Sequence, residues 1–455
     1  MATKPKAVNL TATSQDILNT VRSNSSAEYR NLVPKADGTL QNLRSIGTIL
    51  MDIPALKNEF LSALFNRIGK VIITSKMYDN PWGFFKKGML EYGETIEEIF
   101  VNIAEPHVFD QQNSEKEVFK REIPDVKSAF HVLNYQTFYK QTTSDYQLKQ
   151  AFLTYEGITD LIYRTIDAMT MSSNYDEFLV MKYLLARRIL NGDLKSVQIP
   201  TVQTSNLKEI VGDIKGVSND MEFLNKDYNS AGVYTHNVKD EQYLLVNTKF
   251  DATIDVEVLA SAFNMDKASF MGHKVLVDSF GKLDKARLAK IFEKDETYTE
   301  ISDEDLQKLD AIPCVLVSRE WFMIFDVLQE FNEQYNGEGL YWNHWLHCWK
   351  VVSSSPFAQN ALFVAGEIKV DSFTVSPSTA TLNGVGSSIQ LTADIATENF
   401  APKGVIWTSD NEKVEVTESG KVTVLAGAES GEVHITATSA YDDTKTDTCT
   451  ITVTV

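Results

Sequence analysis

Cysteine is scarce: Cys314, Cys348 and Cys449 are the only three in 455 residues. None forms a CxxC pair, and an odd number cannot all pair within one chain, so no disulfide framework is indicated. The expectation is three reduced, buried thiols in a protein that folds in the cytosol. Basic residues are outnumbered, with 43 Lys and Arg against 62 Asp and Glu and a formal net charge of −19. There is no long run of Lys or Arg, whereas a chain that holds nucleic acid by phosphate neutralisation normally carries one. That balance excludes a histone-like role and strong adhesion to anionic lipid, but not the enclosing of DNA. No stretch approaches the roughly 18 apolar residues of a membrane span. The opening MATKPKAVNLTATSQDILNT lacks the apolar segment of a secretory signal.

Catalytic signatures are missing as well. There is no GxxxxGK[ST] phosphate loop, no HExxH, no GxSxG and no EF-hand loop. Carboxylate pairs are so plentiful that none stands out as general acid and base. His344 and His347 sit three apart beside Cys348, a spacing that would share one face of a helix. They lie in GLYWNHWLHCWKVV, however, among Trp342, Trp345 and Trp349. On a strand the two histidines face opposite sides, and a buried aromatic strand is expected there rather than a metal site. Neither a catalytic residue, a metal nor a cofactor is expected.

What is present reads as a succession of unlike segments. The first 60 or so residues are polar with short amphipathic pieces, an arm rather than a core, with Ser14 as the N-cap of SQDILNTVRS. Residues 71–122 read as a long β-hairpin, from VIITSKMY through FFKKGMLEYGETIEEIF. Gly88 and Gly93 bracket its short middle, and Lys86 and Lys87 oppose Glu94, Glu97 and Glu98. Those seven residues are the candidate intersubunit contact. Leu148, Phe152, Tyr155, Ile158, Ile162, Ile166 and Met169 recur at helical spacing over 144–170. Asn174 with Glu177 resembles a capping box that starts a second helix, ended by Asn191-Gly192. Short helices and strands alternate over 201–335, and WFMIFDVLQEF is apolar enough to be either. Residues 293–310 hold eight Asp and Glu against two Lys, the mark of a solvated face or loop.

Composition then shifts. From Asp371 to Val455 there are 16 Thr, 12 Asp and Glu, four Lys and no Arg. Short alternating strands (FTVSP, SIQLTADI, GVIWTS, KVTVLA, EVHITATSA, TCTITVTV) are separated by turn-formers, which argues for a β-sandwich. Its length suffices for a domain that folds alone, and few contacts are expected to cross the boundary near 367–371.

Long strings over residues 60–365 resemble the major head proteins of small podophages of the Salasmaviridae type. They are FFKKGMLEYGETIEEIF, VFKREIPDVKSAFH, IDVEVLASAFNMDKASFMG, LVSREWFMIFDVL and GLYWNHWLHCW, in family order. The stretch 282–310 looks like an insertion in that pattern. The tail separately resembles the bacterial immunoglobulin-like group-2 domain in VSPSTATLNGVGSSIQLTA, VIWTSDNEKVEVTESGKVTV and ITATSAYDDTKTDTCTITV, with Trp407 in the place of that family's core tryptophan.

The two resemblances imply an α+β chain with the tailed-phage major capsid (Johnson) fold and a C-terminal all-β immunoglobulin-like sandwich. The implied domains are an N-terminal arm (1–70), an extended hairpin loop (71–122), a peripheral domain with a spine helix (123–200), an axial domain (201–335), a return to the peripheral domain (336–368) and the immunoglobulin-like domain (369–455). They imply a structural protein that self-assembles into pentamers and hexamers of an icosahedral or prolate head around double-stranded DNA, without sequence-specific binding. Implied partners are further copies of the chain, a scaffolding protein during assembly and a portal or connector protein; no membrane is involved. The implied location is the virion capsid, with the host cytoplasm during assembly. Residues 1–60 look too short and too mixed in charge to be a scaffolding domain, so no proteolytic maturation is expected. The immunoglobulin-like domain, acidic like the DNA, is expected on the outer surface. Two other classes compete: a bacterial surface or adhesion protein, which would need a secretion signal and usually several tandem domains or a wall anchor, and an intracellular enzyme with an appended sandwich, which no motif supports.

Overall fold

A computed structural model describes residues 13–61, 63, 78–90, 95–108, 121–154, 157, 161, 165, 167–257 and 273–454. The chain divides into two compact units. The first comprises Met1–Thr95, Val132–Met181 and Ile324–Val352, and the second Ile96–His131, Lys182–Met323 and Ser353–Val455.

In the first unit the N-terminal segment is more than an arm. Helices α1 (Ser14–Asn24), α2 (Ala27–Leu32) and α3 (Leu40–Asp52) each start at a hydroxyl cap, Thr13, Ser26 and Thr39. The cap of α1 is therefore Thr13, in a reciprocal capping box with Asp16, and the expected Ser14 is the first helical residue. Ile17, Leu18, Val21, Leu43, Ile46 and Leu50 fall at helical spacing and bury one face against Phe60, Phe152 and Trp342. That apolar stripe gives the segment a core, contrary to the polar arm expected. Gly47 is needed in it: a Cβ there would lie 2.7 Å from the Phe152 Cβ.

Four strands form the sheet of this unit, in the order β1 (Lys86–Met89), β9 (Phe322–Asn336), β10 (Tyr341–Ser354), β4 (Tyr135–Ser144). The apolar run WFMIFDVLQEF thus resolves into strand β9. Strand β1 runs parallel to β9, and β10 is antiparallel to β4 from Tyr341 opposite Ser144 to Lys350 opposite Tyr135. The helical segment expected over 144–170 is described only in part. Helix α4 (Asp145–Ala151) is capped by Ser144 with Gln147, and Tyr155, Ile158, Ile162 and Ile166 lie outside the described residues. The long helix is α5 (Ala168–Asn191). It runs straight through Asn174, which is no cap: its side chain donates to the Tyr78 carbonyl at 3.0 Å. The Asn174/Glu177 spacing that resembles a capping box also places both residues on one helical face, and here the helix continues.

The second unit contains a five-stranded mixed sheet, ordered β5 (Ser196–Ile199), β11 (Asn360–Ala365), β8 (Cys314–Ser318), β6 (Gln242–Asn247), β7 (His273–Val277). Every residue of central β8 is buried, as its unbroken apolar run requires. Helix α6 (Leu207–Asp220) covers the sheet with Leu207, Ile210 and Ile214. Also described are α7 (Thr248–Glu257), α8 (Lys285–Ile291) and α9 (Asp303–Asp310). Ser302 caps α9, and Asp303, Glu304 and Asp305 fill its first turn, so part of the acidic stretch complements a helix dipole while facing water.

The tail is all β: β12 (Lys369–Ser376), β13 (Thr379–Asn383), β14 (Ser388–Gln390), β15 (Thr392–Glu398), β16 (Val405–Ser409), β17 (Val414–Val416), β18 (Lys421–Val424), β19 (Gly431–Ser439) and β20 (Thr446–Thr454). They pair as β13-β20-β19-β16, β14-β18-β17 and β12-β15. Trp407 is only half-buried; its ring covers Gly420, whose φ of +80° and close contacts admit no side chain. The three cysteines are free and buried.

Candidate assembly surface

The hairpin expected over 71–122 pairs differently from the sequence pattern. Residues 71–77 lie outside the described residues. Strand β1 joins β9, and the two-stranded ladder is β2 (Thr95–Val101) with β3 (Val126–Val132), so it straddles residue 122. Past its end His107 and Glu122 still meet at 2.7 Å. Both strands alternate. The inward residues include Phe100, stacked on Phe357 with centroids 5.6 Å apart, and His131, which is buried. The His131 ring meets Ser353 Oγ at 2.8 Å and Glu98 Oε2 at 3.1 Å, and Ser355 Oγ donates to Glu98 Oε1 at 2.8 Å. These contacts fasten the ladder at one face. The other face is open and carries five exposed apolar side chains, Ile99 at 59%, Val101 59%, Val126 53%, Phe130 63% and Val132 53%, beside exposed Glu97 and Ser128. Exposed apolar side chains gathered on one face of a narrow ribbon are the kind of surface that marks an interaction site.

A second constellation, within the first unit, involves β1. Lys86 reaches Asp326 on β9 at 2.6 Å and Glu177 on α5 at 3.1 Å. Lys350 on β10 reaches Asp326 at 3.1 Å and closes on the same Glu177 oxygen. Asn80 donates to the other Glu177 oxygen at 2.7 Å. Two ammonium and two carboxylate groups thus alternate around a closed ring. Burial pushes the Glu177 carboxyl up, but Lys350 and Lys86 outweigh it and hold it below its ordinary range. Asp326 is held low in the same way by the same two lysines. Burial would lower the Lys86 ammonium, yet Glu177 and Asp326 hold it above its ordinary value. Removing any member strands a buried charge, so the ring makes the position of short, edge strand β1 dependent on α5, β9 and β10 together.

Of the seven residues expected to form the contact, the five described ones do not share one arrangement. Lys86 points into the ionic ring, Lys87 is half-buried, and Gly88 sits at a register shift in β1 with φ +119°. Glu97 is exposed on β2, Glu98 turns inward to His131, and Gly93 and Glu94 lie outside the described residues. Of the charges expected to oppose one another across the hairpin, Lys86 pairs with Asp326 and Glu177, and Glu98 with His131 and Ser355. The apolar row was readable as alternation in TIEEIFV and VKSAFHV. Glu177, Asp326 and Lys350 carried no local signal.

His344 and His347 lie on β10, where burial alternates residue by residue. His344 is enclosed against Phe331 and lowered by burial to about 4, while His347 faces the other side against Phe138. Among the described residues no group of three or more His, Cys, Asp or Glu is placed to hold a metal ion. None of the described helices is long and apolar enough to cross a membrane.

Comparison with known proteins matches residues 18–364 to the Phi29-like phage major capsid protein model and residues 369–451 to the bacterial Ig-like domain (group 2). The chain is 32% identical over 433 residues to the major capsid protein of Bacillus phage B103, covering 93% of this chain and 90% of that one. It is 33% identical over 396 residues to the major capsid protein of Bacillus phage GA-1, covering 85% and 78%. Among solved structures, a chain of the Staphylococcus phage Andhra capsid matches with a TM-score of 0.50 at 15% identity, covering 65% of this chain and 86% of that one. At that identity the likeness speaks for the fold alone, which is that of a phage capsid protein.

Proposed function

Since the chain belongs to the Phi29-like phage major capsid protein family, we propose that its copies assemble as pentamers and hexamers into an icosahedral or prolate head that encloses double-stranded DNA. It is a structural protein of the virion capsid and not an enzyme, with a C-terminal immunoglobulin-like domain. The observation that carries the assembly mode is the open apolar row Ile99, Val101, Val126, Phe130 and Val132 on the ladder β2–β3. Burying it against a neighbouring copy would contribute roughly 25 cal/mol per Å2 of apolar surface. Heterologous contacts of that sort close into rings by rotation.

In this proposal the hairpin reaches a neighbour, residues 123–200 and 336–368 form the peripheral domain, and residues 201–335 the axial domain. A separate scaffolding protein and a portal protein complete assembly in the host cytoplasm. The net charge of −19 suits a container whose lining does not bind phosphates. Electron microscopy of the purified chain, alone and with its scaffolding protein, tests the proposal. Shells or rings of five and six are the expected outcome, and particles that stay dispersed at every concentration would refute it.

A further inference from the structure

The sequence suggests a tail joined by a bare linker, whereas the structure shows a plug seated in a socket. Helix α5 ends in a two-bond cap: Asp193 N–H donates to the Arg188 carbonyl at 3.0 Å and Gly192 N–H to the Ile189 carbonyl at 3.0 Å, with Gly192 at φ +75°. The turn between β15 and β16 of the immunoglobulin-like domain lies on this cap. A Cβ on Gly192 would come within 2.9 Å of the Ala401 carbonyl oxygen and 3.0 Å of the Lys403 nitrogen. The absence of a side chain at 192 therefore serves the contact as well as the cap. Lys403 Nζ meets the Leu190 carbonyl at 3.5 Å, placing a cation at the negative end of helix α5. Ser196 Oγ on β5 donates to the Phe400 carbonyl, and Ala401 is fully buried.

The plug is shaped for this seat. Asn399 and Phe400 both hold left-handed backbone, φ 50° and 58°, which non-glycine residues adopt at a cost. Asn399 Nδ2 donates to the Glu367 carbonyl at 2.6 Å and so ties the turn to the linker. The domain has a second foothold: Lys127 on β3 donates to Glu418 at 3.1 Å and to the Ala231 carbonyl at 3.0 Å. A freely projecting module would need none of these features.

We infer that the immunoglobulin-like domain is an intrasubunit brace, seated by the 399–403 turn on the Gly192 cap and by Glu418 on Lys127, so that it stiffens the end of α5 and the root of the β2–β3 ladder. This holds whatever rings or shells the chain forms, so its failure is distinct from failure of the assembly proposal. The test uses the full-length chain with hydrogen exchange and limited proteolysis. Ser196→Ala with Lys403→Ala should speed exchange of the Asp193 amide and cleavage within 366–371 by about tenfold, the scale of one or two lost net hydrogen bonds. Lys127→Ala should speed exchange in β3 while leaving Asp193 unchanged. Gly192→Ala should act more strongly than the double variant; where it does not fold, the double variant carries the test. Cleavage and exchange within about twofold of the unmodified chain, in a variant that retains its circular dichroism, would overturn the brace.

Discussion

Lys86 and Glu177 stand 3.1 Å apart, joining the short edge strand β1 to the middle of the long helix, with Asp326 and Lys350 closing the ring on the far side. Glu177 and Lys350 are nearly sealed from water, at 5% and 8% side-chain exposure. Breaking one member of such a buried pair costs about 3–5 kcal/mol, because the partner is left charged and dry. Glu177→Gln should therefore lower the unfolding free energy by roughly that amount. Lys86→Met, at a more exposed corner, should cost less. Urea denaturation of both variants measures the difference, and a loss for Glu177→Gln under about 1 kcal/mol would mean the ring is not a unit.

The same ring predicts a pH dependence. Glu177 and Asp326 titrate near 4.5 and 3.8 when unperturbed and lower than that in the folded chain. Their contribution is complete above those values and is lost as pH falls through the lowered folded ones, where the unfolded chain binds more protons. Lys86 is shifted up from 10.5, so its contribution is complete below that pH and lost as pH rises through the folded value. Stability should thus be flat near neutrality and fall on the acid side. Glu177→Gln should lose less between about pH 5 and about pH 3 than the unmodified chain does. Parallel acid limbs for the two would place the sensitivity elsewhere.

A glycine in the tail makes a separate prediction. Gly420 has φ +80°, and a Cβ there would lie 2.6 Å from the Leu391 carbonyl and 3.0 Å from the Trp407 ring. Gly420→Ala combines backbone strain of about 1–3 kcal/mol with that clash. Trp407 fluorescence should report earlier unfolding of the immunoglobulin-like domain. Gly427→Ala, with similar φ but open space around it, should show the strain without the clash.

Local pattern made much of this legible. Alternation over GLYWNHWLHCW predicts β10 and sends His344 and His347 to opposite faces, as observed. The threonine-rich tail announces its strands almost one by one, because period-two alternation and turn residues are local. Partnerships between distant segments were not legible. Nothing near Lys86 shows that β1 will lie parallel to β9, or that Glu177 will answer Lys86 rather than cap a helix. The plug at 399–403 depends on left-handed backbone at Asn399 and Phe400, which neither residue type demands. The ladder β2–β3 lies in between: the alternation in TIEEIFV and VKSAFHV is local, but the pairing of the two strands with each other is not.

That ladder supports the sharpest test of assembly. Reversing the charge of Lys86 and Lys87 is a poor probe, since Lys86 belongs to the ionic ring and its loss would disturb the fold first. The outward residues are better. Phe130 is 63% exposed and Ile99 59%, so neither contributes much to the stability of an isolated subunit. Surface substitutions of this kind usually change folding free energy by within about 0.5 kcal/mol. Against a neighbouring copy the same position would have to bury a carboxylate without a partner, which is costly. Phe130→Asp, alone and with Ile99→Asp, should therefore leave the urea midpoint of the free chain nearly unchanged while raising the concentration needed for assembly at least tenfold. Phe130→Leu should assemble almost normally, because the face remains apolar. Light scattering across a concentration series reads all three. Normal assembly of Phe130→Asp would remove the outer face of the ladder as the intersubunit contact, whereas a drop in monomer stability equal to the assembly defect would make its role one of folding.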